Sequence, residues 1–367
     1  MLLVVFSLAG CLPIKQQDEV VQDQNQNETE EKAVVPKYQI SESYYRTLTP
    51  FKPSGARGTV VSNLNTRYDI DEFEEGLLRL SQRMFSTDKY IFQEGQYLDK
   101  DTVRSWLSRK ENDNDINGLN PVLTEETKEG FEQNPIILAH ILEHNFLVKS
   151  NDNKVSLGGI SIGLALNSVY YFRIDGVQYE YQIPDNKIET EGKKMAQEIV
   201  QRLRQIEGLQ DVPITIGLFK AEKRTSVIPG HYFAYATVKS GGSNLQWSDV
   251  NEKYVLFPST TATNDHRDDY SKFQLFQEKV AEYFPNYNGI VGTAFYTNDE
   301  LSKLSIDIDM QFFGKAEVIG FSQYVAGLIN QYFEEYWTVE VKVKSVNGQE
   351  ALILMEPDMK EPFVHIY

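Results

Sequence analysis

TVEVKVKSVNGQEALILM, residues 338–355, is the stretch from which the fold is read. Val339, Val341 and Val343 alternate with charged residues, the period of a half-buried strand, and a second apolar run closes on Met355. Between them Asn347-Gly348 is a two-residue hairpin signal. Reading backwards, a helix is expected over 318–333, strands over 304–310 and 290–296, and a helix over 269–284. The same order occurs earlier. Strands over 155–169 and 176–183 flank a turn at Asp175-Gly176, a helix follows over 188–206, then strands over 212–218 and 232–238. An antiparallel sheet with one apolar face needs a helix to cover it, so each half reads as ββαββ and the pair as a tandem duplication. The fold class expected is α+β, with repeats at 151–265 and 266–367, both built on antiparallel sheets.

The segment 38–150 reads as mainly helical. Ile70, Phe73, Leu77 and Leu78 fall on one helical face, with Asp69 or Asp71 as cap. A second helix starts at Asp99 or Asp101 and carries Val103, Trp106 and Leu107, and a third is expected over 135–146.

Residues 1–10 have another character. Leu2 to Gly10 reads LLVVFSLAG, a signal-peptide h-region closed by small residues, and Leu8-Ala9-Gly10-Cys11 matches the bacterial lipobox. Cleavage is expected after Gly10, with a diacylglyceryl group on Cys11 holding the mature chain on the outer face of the membrane. The apolar run is too short to span a bilayer, for which about 20 residues are needed. A basic n-region is missing, so the true start is expected upstream. Residues 11–37 are rich in Gln, Asn, Asp and Glu, bury little surface, and read as a disordered acidic tether.

Cys11 is the only cysteine among 367 residues, so no intramolecular disulfide can form. The formal charge of −17, spread along the chain, argues against nucleic acid as partner. No Gly-rich phosphate loop, G-x-S-x-G elbow or cysteine nucleophile is present, and no cofactor is expected.

Tyr44-Tyr45-Arg46-Thr47-Leu48-Thr49-Pro50-Phe51-Lys52-Pro53, with Ala56-Arg57-Gly58, resembles the CamS family of sex-pheromone precursor lipoproteins of Gram-positive Firmicutes. Asp69-Ile70-Asp71-Glu72-Phe73-Glu74 with Gly76-Leu77, residues 90–98 (YIFQEGQYL), Gly230-His231-Tyr232-Phe233-Ala234 and residues 318–324 (VIGFSQY) agree with it. The resemblance covers essentially the whole body and implies two CamS repeats. It also implies a split function: the trimmed signal peptide, here Leu3 to Gly10 (LVVFSLAG), leaves the cell as a hydrophobic mating signal for enterococcal recipients, while the body stays anchored. For the body it implies no established biochemical activity.

Two groups of residues carry candidate chemistry. Tyr45, Arg46, Lys52 and Arg57 form a basic, aromatic, proline-stiffened cluster suited to a carboxylate-bearing or glycan ligand of the cell wall, or a peptide. The alternative is an irregular segment whose arginines pair local carboxylates. His140-Ile141-Leu142-Glu143-His144 fits H-x-x-E-H, in which a helix would set His140 and His144 on one face as zinc ligands with Glu143 as base. That is the alternative reading, a cell-surface zinc hydrolase. Against it stand solvent-facing histidines on an amphipathic helix. Asp265 to Asp269 reads as capping of the helix that follows, and Gly230-His231 as a turn into a strand.

Overall fold

The computed structural model of the chain describes residues 18–22, 31–59, 64–112, 114–283 and 289–367. The expectations for cleavage at Gly10 and acylation of Cys11 lie outside the described residues. In chain order the elements begin with strands β1 (Asp18–Gln22), β2 (Glu31–Val35) and β3 (Arg46–Thr47), then helix α1 (Arg67–Ser81), β4 (Tyr90–Glu94), α2 (Lys100–Leu107) and α3 (Lys128–Gln133). Next come β5 (Leu138–Lys149), β6 (Lys154–Asn167), β7 (Val169–Ile174), β8 (Val177–Gln182), α4 (Asp185–Leu203), β9 (Ile214–Ala221), β10 (His231–Val238) and β11 (Gln246–Asp249). The chain closes with β12 (Glu252–Phe257), α5 (Thr260–Asp265), α6 (Arg267–Tyr283), β13 (Gly289–Thr297), β14 (Glu300–Asp309), α7 (Lys315–Tyr332), β15 (Thr338–Ser345), β16 (Gly348–Met355) and β17 (Phe363–Ile366).

Two mixed sheets result, and the protein is α+β. The first runs β11-β10-β9-β6-β5-β4-β3, with β1 paired to both β2 and β6; the second runs β12-β13-β14-β15-β16-β17. Neither is antiparallel throughout. β6 and β9, joined through α4, are parallel, as are β14 and β15, joined through α7. A helical crossover returns the chain to the end from which it left, so the next strand in that sheet must run the same way.

Alternation along β6 explains how both faces of the first sheet are filled. Ile160, Ile162, Leu164 and Leu166 join the cluster under α2 and α4, which contribute Val103, Trp106, Ile199 and Leu203. Ala165, facing the other way, packs with Phe73, Leu77 and Leu80 of α1. In the second sheet Val339, Val341, Val343, Ala351 and Ile353 pack against Phe273, Phe276, Phe321 and Val325 of α6 and α7.

Four expectations need correction. Residues 135–146 are not a helix: β5 pairs with β4 on one side and β6 on the other. The run is apolar almost continuously, and such a run is ambiguous between a buried strand and a buried helix until its partners are known. The segment before 150 is accordingly not mainly helical, and residue 150 falls inside the β5–β6 hairpin rather than between units. The strand expected over 176–183 does not join the large sheet, because β7 and β8 form a hairpin of their own. Finally, the segment 11–37 is not wholly a tether, since Val20, Ala33 and Val35 are buried with Leu48, Ile91 and Val155.

α1 is capped by Thr66, whose side chain accepts from the Asp69 amide, rather than by Asp69 or Asp71. Asp69 is buried and takes hydrogen bonds from Gly230 N (2.7 Å) and Glu222 N (3.1 Å), tying α1 to the β9–β10 connection. α2 is capped by Asp99, one of the two starts expected for it.

Candidate ligand site at the end of β4

β4 stops at Glu94, and Gly95 makes the last rung by donating its amide to Glu143 O at 3.0 Å. A Cβ on residue 95 would lie 2.5 Å from Glu143 Cβ, so glycine is what lets the strand end close against this carboxylate. The chain then wraps around it: Gln96, Tyr97 and Leu98 donate their amides to Glu143 at 3.1, 3.1 and 2.7 Å. With the nitrogen of its amide toward Glu143, Asn145 adds a bond of 2.7 Å. Burial pushes the Glu143 carboxyl up, and the amides of Leu98, Tyr97 and Gln96 pull it back down. Glu143 therefore holds the turn together and is saturated by donors.

Beyond this turn lies a cavity of about 130 Å³ between β5, α1 and the 54–58 loop. Its lining includes Arg57, Glu74, Glu94, His140 and His144. Arg57 bridges to Glu94 at 3.1 Å and lies over the Phe51 ring at 5.4 Å, while the other Glu94 oxygen accepts from Ser54 N at 2.6 Å. Glu74 stands exposed at the rim; partial burial of its carboxyl, and then Glu94, raise its pKa. His140 and His144 are buried and lie edge-on to Phe73 and Phe92. Burial holds them neutral, with pKa values lowered to about 4 and about 3. The Nδ1 of His144 has no hydrogen-bond partner.

The zinc reading fails on this geometry. On a strand, His140 and His144 sit four residues and roughly 13 Å apart, and Glu143 points to the opposite face. Among the described residues no three His, Cys, Asp or Glu side chains come together as a metal site. The histidines are not solvent-facing either. The second group of expected site residues is dispersed. Tyr45 is half-buried, its hydroxyl donating to Phe85 O and its ring against Phe146. Arg46 donates to Asp88 O at 3.2 Å. Lys52 lines a separate cavity of about 350 Å³ with Lys32, Phe51 and Gln93. Only Arg57 reaches the site at the end of β4, and there it pairs a local carboxylate. Glu74 and Glu94 escaped notice because nothing in their local sequence separates them from other surface acids.

Fold and site together define an α+β protein built on two large sheets, with a small cavity where strand pairing gives way. The chain belongs to the CamS family: the family model "CamS sex pheromone cAM373 precursor" matches residues 51–361. It is similar to the C-terminal domain of the sex pheromone staph-cAM373 precursor from Staphylococcus aureus, with 34% identity, 83% of this chain and 98% of that one covered, and a TM-score of 0.73. It is likewise similar to a sex pheromone precursor from Lactobacillus salivarius, with 31% identity, coverage of 90% and 98%, and a TM-score of 0.83. A search of curated proteins found no match.

Proposed function

We propose that this chain is a lipid-anchored sex pheromone precursor whose body is a binding module at the outer face of the cell membrane. One observation carries the reading: a family model for sex pheromone precursors matches 51–361 of a chain that opens with the lipobox Leu8-Ala9-Gly10-Cys11. Cleavage after Gly10 frees the apolar segment, and acylation of Cys11 keeps the body at the surface. Trimmed to LVVFSLAG, the freed peptide is hydrophobic enough to partition into membranes and to fill an apolar receptor pocket, promoting conjugative plasmid transfer. The body's β5-β6-α4-β9-β10 and β13-β14-α7-β15-β16 paths share strand order and a parallel centre, which supports a tandem duplication. Its ligand site is the cavity bordered by Arg57, Glu74 and His144.

In a Gram-positive host, metabolic labelling with a fatty acid should mark the protein, and Cys11→Ser should abolish both label and membrane retention. Synthetic LVVFSLAG should induce clumping of a responsive plasmid-bearing enterococcal strain. A Cys11→Ser chain that still carries lipid would refute the anchor, and inactivity across a strain panel would remove the pheromone role.

A further inference from the structure

We infer that the cavity at the end of β4 receives the primary ammonium group of a small amine. The inference rests on the reading of the body as a binding module and adds the chemistry of what is bound.

Size comes first. A cavity of about 130 Å³ is close to the roughly 150 Å³ that holds one benzene molecule in an engineered core, so it takes a group of about six heavy atoms. Its walls mix apolar side chains such as Leu98, Val103 and Ile141 with the charged groups of Arg57, Glu74 and Glu94, which suits a guest with one polar head. Charge comes next. Arg57 pairs with Glu94, and its side chain is 62% exposed at the mouth. Glu74 feels Arg57 but makes no close ion pair among the described residues, so the lining holds three carboxylates, Glu74, Glu94 and the amide-bound Glu143, against the single cation Arg57. A carboxylate ligand would meet that excess with no unpaired cation to receive it, whereas an ammonium group would neutralise it.

His144 is the independent observation. It is 1% exposed, lines the cavity, and leaves Nδ1 unpartnered. A buried polar nitrogen without a partner is destabilising, and such groups are rare unless something absent from the protein itself satisfies them. With its proton on Nε2, a neutral imidazole offers Nδ1 as an acceptor, and an ammonium offers three N–H donors. One can go to His144 and another to the Glu74 carboxylate, leaving the rest of the molecule to extend through the mouth past Arg57. A metal ion is the rival cation, but three ligands do not converge among the described residues.

The mature chain from Cys11, in detergent and with its histidines labelled with nitrogen-15, provides the test. Imidazole signals would be followed during titration with glycinamide, glucosamine, N-acetylglucosamine, acetate and zinc chloride. Glycinamide or glucosamine should shift the His144 ring nitrogens saturably, and Glu74→Gln, an exposed helix position, should weaken that binding at least tenfold. Preference between the two amines would tell a peptide N-terminus from an amino sugar, and either supports the inference. A His144 shift with acetate, N-acetylglucosamine or zinc alone would overturn the ammonium assignment while leaving the binding module standing. Amine binding indifferent to Glu74→Gln would overturn it too, and silence from every probe would remove both.

Discussion

Tyr232 shows how a single side chain can dictate its surroundings. Its ring is fully buried, and its hydroxyl donates to Phe73 O at 2.7 Å. Three glycines on three elements make the room: a Cβ at Gly76, Gly163 or Gly217 would come within 2.7, 2.9 or 2.6 Å of Tyr232 atoms. Gly217→Ala should therefore destabilise the protein by about 2–3 kcal/mol through overpacking, and Tyr232→Phe by about 1 kcal/mol through the lost hydrogen bond, both read from urea unfolding midpoints. The buried imidazoles set a second residue-scale expectation. His140 and His144 titrate in the folded protein at about 4 and about 3, against roughly 6.5 when unfolded. As pH falls below 6.5 the unfolded chain binds protons that the folded chain refuses, so each imidazole withdraws roughly 2 kcal/mol of stability by pH 5. Buried carboxyls such as Asp69, raised to about 6, act in the opposite sense, because the folded state protonates first. The comparison that isolates the imidazole is His144→Phe against the parent: the difference in unfolding free energy should shift by about 2 kcal/mol in the variant's favour between pH 7.5 and 5. A difference that does not change with pH would mean that the ring is charged or exposed in the native state.

At the scale of elements, β5 is where pattern and partners disagree. Ile137, Leu138 and Ile141 are buried in the cluster under α2 and α4, Phe146 against Phe85 and Phe92, and Leu147 against Val20, Ala33 and Val35, so this run is covered on both faces. A strand buried on both faces loses the alternation that would have announced it. Hydrogen exchange should find the β5, β6 and β9 amides among the slowest in the molecule, with the separate β7–β8 hairpin opening at much lower free energy. The turns make a finer point. Asp175-Gly176 and Asn298-Asp299 both adopt paired positive φ, the geometry of the favoured two-residue hairpin turn. In β15–β16, Ser345 instead faces Gly348, so the turn residues are Val346 and Asn347 and the glycine follows them with φ 121. The hairpin signal found the right connection one residue out of place.

Across the whole molecule, a largely buried polar cluster links the two sheets. Arg79 of α1 donates to Glu72 Oε1 and to Glu252 Oε2 of β12, both at 2.6 Å, and Tyr254 donates to Glu72 Oε2 at 2.5 Å. The Arg79 guanidinium also lies 4.8 Å from the Phe295 ring centre. Glu72 and Glu252 are nearly inaccessible, so removing their shared cation leaves two buried carboxylates facing each other. Breaking a fully buried pair costs about 3–5 kcal/mol; with Arg79 about one-third exposed, Arg79→Met should cost about 2–3 kcal/mol. If the cluster couples the sheets, urea unfolding of this variant should separate into two transitions where the parent shows one.

Short-range pattern sufficed for whatever depends on neighbours in the chain. The strands and helix of residues 290–355, the apolar face of α1, the start of α2 to within two residues and the turn at Asp175-Gly176 were all legible because periodicity and turns are set within a few residues. The residues of the CamS resemblance were legible for the same reason. Tertiary structure alone decided that β5 is a strand, that each sheet has a parallel centre, that β7–β8 stands apart, and that Arg57, Glu74, Glu94 and His144 share one cavity while Tyr45, Arg46 and Lys52 go elsewhere. Those outcomes depend on which distant segments pair and where a strand runs out of partners. That is settled by burying both faces of a sheet and satisfying its backbone, and no local window of residues records it.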